Sequence, residues 1–73
     1  MKLSAKVKAL RELPAPESRR AIREKAGVSQ DDIAAEVGVT RTTISRYESG
    51  LRRPSGRHLL AYVRVLNSLK VES

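Results

Sequence analysis

Residues 28–54, VSQDDIAAEVGVTRTTISRYESGLRRP, constrain the fold of this chain more than any other stretch, because they specify two short helices joined by a tight turn. Ser29 followed three residues later by Asp32 is typical of a capping box, which marks the start of a helix. Gly38 ends that helix, since glycine readily takes the left-handed conformation that a helix C-terminus often needs. Thr40 then serves as the N-cap of a second helix.

The second helix, residues 40–48, has an unusual outer face. At about 100° per residue, Ile44 points inward, and Thr42 and Arg46 lie near the opposite side, one turn apart. Hydroxyl and guanidinium groups make up or border this face: Arg41, Thr42, Thr43, Ser45 and Arg46. No carboxylate lies near its centre, whereas a solvated helix face usually mixes both signs of charge.

The chemistry of this face favours nucleic-acid binding. Arginine donates two hydrogen bonds to a guanine edge, threonine offers a methyl group to thymine, and short hydroxyl side chains reach phosphate oxygens. The adjacent Arg52 and Arg53, which follow the helix and precede a rigid Pro54, suit a phosphate clamp.

The charge distribution points the same way. The chain carries a net charge of +7 and has a pI near 10.6. Residues 28–39 carry −3, whereas residues 40–58, the outward helix and its loop, carry +4. Basic charge can serve solubility alone, but this clustering favours a polyanionic partner.

Composition excludes several classes of protein. A chain of 73 residues allows one small domain. Without cysteine it can form neither a disulfide nor a thiolate metal site, and with two tyrosines as its only aromatic residues it is a poor candidate for stacking single-stranded bases. The apolar runs are too short for a membrane span and the N-terminus lacks a secretory signal, so we expect a cytoplasmic, nucleoid-associated protein.

Residues 1–13 predict an amphipathic helix whose apolar stripe is Leu3, Val7 and Leu10. The stripe can pack on the rest of the domain, pair with a second subunit, or lie on a membrane surface. Packing within the domain is the simplest interpretation, and the lack of a Trp or Phe anchor disfavours the membrane.

Two further helices complete the prediction, over residues 16–26 and 56–69. Apolar residues spaced at helical intervals are expected to form one core: Ile22, Val28, Ile33, Val37, Ile44, Tyr47, Leu59, Leu60, Val63, Leu66 and Leu69. Arg23 falls at the edge of the inner face of its helix, where a long cationic side chain needs a carboxylate. Glu48 is the candidate partner, and a solvated surface position for Arg23 is the alternative.

The run GVSQDDIAAEVGVTRTTISRYESGLRRPS resembles the Cro/repressor-type (Xre-like) helix-turn-helix family, and the likeness covers roughly residues 19–66. Many positions agree together: Ser29, Gln30, Ile33, Ala34, Gly38, Val39, Ile44, Ser45, Tyr47, Glu48, Gly50 and Pro54. The resemblance implies an all-α bundle of five helices, a lambda-repressor-like DNA-binding fold with an extra N-terminal helix. Residues 1–13 are then an N-terminal amphipathic helix and residues 16–69 the DNA-binding domain, in a single domain overall.

The resemblance also implies a role for individual residues. Helix 40–48 would read the major groove of duplex DNA through the base-reading side chains Arg41, Thr42, Ser45 and Arg46. Phosphate contacts would come from Gln30, Thr43, Ser49, Arg52 and Arg53. Arg23 and Glu48 match a partly buried ion pair that ties the first core helix to the end of the recognition helix.

We therefore expect a sequence-specific transcriptional regulator, with repression as the expected direction. The alternative is a protein-interaction adaptor or antitoxin-type module that reuses the fold. Many family members dimerise through a further C-terminal helix or domain, whereas one helix follows Pro54 here, so a homodimer and a monomer both stay open. The dimer interface would come from residues 1–13 or from residues 59–69.

An enzyme, a metal site and a small-molecule or cofactor site are not expected. His58 is the only histidine and has no carboxylate close in sequence. Asp31 and Asp32 are better explained as first-turn helix charges than as metal ligands, and Ser45 has no base that spacing can place beside it.

Overall fold

The computed structural model describes residues 2–72, and the side chains of residues 4–70. Within that range the chain is all-helical, as the sequence predicts. Its five helices are α1 (Lys2–Glu12), α2 (Pro16–Lys25), α3 (Gln30–Val37), α4 (Arg41–Ser49) and α5 (Gly56–Glu72). Helix α4 packs on α2 and α3, α5 packs under α2 and α3, and α1 packs on α5.

The helix ends of the central stretch form as predicted. The Ser29 hydroxyl accepts a hydrogen bond from the backbone N–H of Asp32 at 3.0 Å, and the Asp32 carboxylate accepts one from the backbone N–H of Ser29 at 3.2 Å, which completes the capping box. Gly38 ends α3 with φ of 85°, in the left-handed region. Thr40 caps α4 by accepting from the N–H of Thr43 at 3.2 Å.

The core lies between α3, α4 and α5. Its fully buried side chains include Ile33, Ile44, Tyr47 and Leu66, as the helical spacing predicts. Tyr62 is also buried, at 1% exposure, and its ring centre lies 5.0 Å from that of Tyr47 in a tilted arrangement. The predicted core did not include Tyr62, since a tyrosine can equally well lie at a surface.

The packing of α1 differs from its predicted apolar stripe. Val7 and Leu10 are exposed, at 41% and 52%, whereas Ala9 is buried at 5% and packs with Leu59 and Val63 of α5. The simplest interpretation, that the stripe packs within the domain, is therefore wrong for Val7 and Leu10. The small side chain of alanine at this contact lets α1 approach α5 closely. The side chain of Leu3 lies outside the described residues.

Three smaller differences concern boundaries and burial. Helix α2 ends at Lys25, with Ala26 as its C-cap, one residue before the predicted end. Helix α5 continues to Glu72, three residues beyond the predicted Leu69. Leu60 is half-buried and packs against the edge of the α1–α5 contact.

Candidate nucleic-acid interface

All four predicted base-reading residues are exposed on the outer face of α4: Arg41, Thr42, Ser45 and Arg46. Ile44 is fully buried and Tyr47 is 2% exposed on the opposite side, so the core sets the rotation of the helix about its axis. The side chains of Thr42, Ser45 and Arg46 make no hydrogen bond or ion pair with any other described residue. Their donors and acceptors are therefore free to bind an external partner.

A bidentate ion pair holds the C-terminal half of α4 against α2. Arg23 donates from Nε to Glu48 Oε2 at 2.6 Å and from Nη2 to Glu48 Oε1 at 3.1 Å. The two side chains are only 13% and 6% exposed. Arg23 also donates from Nη1 to the Val28 carbonyl oxygen at 3.1 Å, in the segment that precedes α3. The hydrogen bond with Glu48 raises the pKa of Arg23, so the guanidinium stays charged.

Gln30 connects this ion pair to the exposed face of α4. Its Nε2 donates to Glu48 Oε1 at 3.1 Å, and its Oε1 accepts from Arg41 Nε at a long 3.5 Å. The side chain for which the resemblance implies a phosphate contact is thus held between a buried carboxylate and a predicted base-reading arginine. The contact orients Gln30, while the long bond leaves Arg41 weakly held.

A groove of about 540 Å³ runs along this side of α4. It brings together Gln30 and Ser49, predicted to contact phosphate, with Arg41 and Ser45, predicted to read bases. Arg20 and Asp31 lie on its rim, so the groove is polar and mixed in charge rather than apolar. Such a lining suits a polar, charged ligand better than an apolar small molecule.

The other predicted phosphate contacts lie at the two ends of α4. Thr43 is half-buried near the N-cap, with its hydroxyl 3.0 Å from that of Thr40. The Ser49 hydroxyl donates to the Arg46 carbonyl oxygen at 3.2 Å, so it has an intrahelical partner but remains exposed.

Arg52 and Arg53 project from a loop whose backbone is held at both sides. The backbone N–H groups of Leu51 and Arg52 donate to the Arg46 carbonyl oxygen at 3.0 and 3.2 Å. Pro54 is fully buried and anchors the far end. Both arginines are exposed, so a loop with a fixed backbone presents two cations next to α4.

The Helix-turn-helix (HTH_3) family model matches residues 20–72, which take in most of α2 and all of α3 to α5. The match spans well over half of the chain and contains the whole interface described above. The chain belongs to the helix-turn-helix family of DNA-binding proteins, of the Cro/C1, Xre-like type. Neither a curated protein nor a solved structure matches the chain.

This helix-turn-helix protein contains a buried arginine, Arg19, that the sequence did not predict. Arg19 is only 8% exposed, and it donates from Nε to the Pro14 carbonyl oxygen at 2.7 Å and from Nη1 to the Tyr47 carbonyl oxygen at 2.9 Å. Burial lowers the pKa of Arg19, because the charge loses hydration. One signal could have revealed it: Arg19 and Arg23 are one turn apart on the inner face of an apolar-poor helix.

The described residues of this helix-turn-helix protein contain neither a membrane-spanning helix nor a cluster of metal-binding side chains. None of its helices is long and apolar enough to cross a lipid bilayer. No group of three histidine or acidic side chains comes close enough together to hold a metal ion in the part of the chain that the structure describes.

Proposed function

We propose that this protein is a sequence-specific transcriptional regulator that binds duplex DNA, with α4 in the major groove. The observation that carries the proposal is the exposed face of α4, where the side chains of Thr42, Ser45 and Arg46 have no partner within the described chain. An exposed set of donors with no carboxylate among them is the chemistry that reads base edges. Arg41, next to Gln30, extends that face toward the groove.

Phosphate contacts supply affinity and orientation in this proposal. Thr43 and Ser49 lie in the first and last turns of α4, Gln30 lies beside it at the start of α3, and Arg52 and Arg53 follow it on an anchored loop. Contacts of this kind position a protein on duplex DNA without reading the sequence. Arg41, Thr42, Ser45 and Arg46 then specify the site.

Repression by occupancy is the mode of regulation that we infer. A small domain bound at an operator that overlaps a promoter excludes polymerase without any further activity. In this proposal the protein works where the DNA is, in association with the nucleoid.

An adaptor that binds proteins alone is the competing function. Such a module does not require an α4 face whose centre lacks a carboxylate, with Arg41 and Arg46 beside a neutral Thr42. The face of α4 therefore supports DNA reading as the main activity, and leaves protein binding to other surfaces.

Selection of bound sites from a random duplex library at physiological salt tests the proposal. A palindromic consensus with half-sites about one helical turn apart is expected if the protein binds as a two-fold dimer, and a single half-site if it binds as a monomer. Binding without any enriched sequence, lost as salt rises, would reduce the arginines of α4 to non-specific phosphate contacts and overturn the proposal.

A further inference from the structure

Helix α1 lies on α5 with its larger apolar residues turned away from the protein. Val7 and Leu10 are exposed, whereas Ala9 is buried and Leu13 is half-buried against α5. At about 100° per residue, Val7 and Leu10 lie within about 60° of each other, and they are turned about 160° and about 100° away from Ala9. An amphipathic helix that merely completes a core turns its larger apolar side chains inward, so the outer stripe is free to meet a partner.

A groove beside this stripe adds to the same surface. It lies between α1 and α5, has a volume of about 610 Å³, and has apolar side chains of Ala9, Leu60 and Val63 at its base. A second depression of about 500 Å³ includes Val7 and Arg11 and shares Lys8 with the first. The two depressions adjoin at Lys8, with Val7 on one side of that side chain and the α1–α5 groove on the other.

The charges around the surface are mainly positive. Lys8 and Arg64 line the groove, and Arg11 lines the second depression. Glu12 also lines the groove, but its carboxylate accepts a hydrogen bond from Asn67 Nδ2 at 3.3 Å. An apolar floor with basic walls fits an amphipathic helix that carries carboxylates beside its apolar stripe.

A second copy of this chain and a lipid surface fit these side chains less well than an acidic helix does. In a second copy paired through the same face, Lys8 and Arg11 would meet cations of the same kind, which is unfavourable. A lipid surface suits a basic amphipathic helix, but membrane-bound helices rely on Trp or Phe anchors, which are absent from this chain.

We propose that the face formed by Val7 and the α1–α5 groove, with Lys8, Arg11 and Arg64 around it and Leu10 at its outer edge, docks an acidic amphipathic helix of a partner protein. The surface is separate from the DNA-reading face, because α4 packs on α2 and α3 while α1 packs on α5. Residues 1–19, which include α1, also lie outside the family match. Docking would therefore recruit a partner to bound DNA or control the regulator without covering α4.

The test is a peptide selection against the full chain without DNA. The probe is a displayed library of peptides of about 16 residues, long enough to approach helix formation alone. A leucine stripe is constant at helical spacing and the flanking positions are random. The expected result is enrichment of Asp and Glu at the flanks. On the charge-reversed variant Lys8→Glu with Arg64→Glu, enrichment should switch to Lys and Arg, while the control Lys25→Glu should behave as the unaltered chain.

Three results would overturn the proposal. No enriched peptide, or peptides with the same flanks on all variants, would show that the surface does not select acidic helices. Concentration-dependent dimerisation that Leu10→Ser abolishes would assign the stripe to a second copy. Binding to vesicles of anionic phosphatidylglycerol that Leu10→Ser abolishes would assign it to lipid. Because Leu10 is half exposed, its replacement should keep the fold, which thermal unfolding monitors.

Discussion

Arg19 Nη1 donates a hydrogen bond to the carbonyl oxygen of Tyr47 at 2.9 Å. This contact joins the N-terminal half of α2 to the last turn of α4, where the helix dipole is negative and favours a cation. The same guanidinium donates through Nε to Pro14 in the segment between α1 and α2. The Arg19 side chain therefore ties both α4 and the segment that follows α1 to α2.

Replacement of Arg19 by alanine should lower the free energy of unfolding by about 2–4 kcal/mol, because the buried carbonyl group of Tyr47 and the partly buried one of Pro14 lose a charged donor. Urea denaturation of the variant measures the loss. Arg20 is the matched control, since it is the next residue and is exposed, and its replacement by alanine should change stability by less than about 0.5 kcal/mol. Equal losses in the two variants would contradict a structural role for Arg19.

Replacement of Glu48 by alanine should cost about 3–5 kcal/mol, because it leaves the Arg23 guanidinium inside the protein without its bidentate partner. The Glu24→Ala variant is the control. Glu24 pairs with Arg20 at 3.2 Å on the surface, where the two side chains are 53% and 64% exposed, and such pairs contribute under about 1 kcal/mol. Chemical denaturation at neutral pH compares the two, and a small loss for Glu48→Ala would show that hydration replaces the pair.

Tyr62 should make the protein less stable at high pH. Its hydroxyl is buried without a hydrogen-bond partner among the described residues, and burial raises the pKa of Tyr62. The unfolded chain loses this proton above pH of about 10, whereas the folded chain retains it, so the free energy of unfolding falls as pH rises past that value. Tyr62→Phe removes this contribution.

Denaturation at pH values below and above about 10 measures the effect of Tyr62. The variant Tyr62→Phe should lose less stability over that interval than the unaltered chain, and below it should be equal or more stable, since an unpaired buried hydroxyl costs about 1–3 kcal/mol. Parallel pH profiles for the two proteins would argue against the burial of an ionisable hydroxyl.

Alanine at Gly50 should destabilise the protein more than alanine at Gly38. Both glycines end helices with φ in the left-handed region, at 79° and 85°. A methyl group at Gly50 would lie 3.3 Å from Pro16 Cγ, whereas open space surrounds Gly38. Backbone strain of about 1 kcal/mol or more applies to both variants, and crowding against α2 adds to the cost only at Gly50. Thermal unfolding of both variants compares them, with similar losses arguing against crowding.

The two arginines of the proposed interface should respond differently. Arg46→Ala is expected to weaken binding to the selected site by about 1–3 kcal/mol and to relax specificity at one base pair. Arg53→Ala should weaken binding on every sequence and make the salt dependence shallower by about one unit of slope. Titrations of selected and scrambled duplexes at several salt concentrations separate the two, and uniform loss for Arg46→Ala would remove it from the base-reading set.

Local sequence signals predicted the boundaries of α3 and α4. The capping box at Ser29 and Asp32, the cap at Thr40 and the turn at Gly38 depend on residues within four positions of one another, so they can be read without a fold. The outer face of α4 follows from helical periodicity once Ile44 is taken as buried. These features determined where α3 and α4 begin, where α3 ends and which side of α4 faces solvent.

Only the tertiary structure decided which side chains the helices bury against one another. Arg19 and Arg20 are adjacent residues of the same type. Only Arg19 is buried, because it donates hydrogen bonds to the carbonyl groups of Pro14 and Tyr47. Helix α1 turned Ala9 rather than Val7 toward α5, since close approach of two helices depends on the shape of both surfaces. Gln30 donates a hydrogen bond to Glu48 because the packing of α3 on α4 brings the two side chains together. Such contacts join residues far apart along the chain, and only packing in three dimensions brings them within a few ångströms.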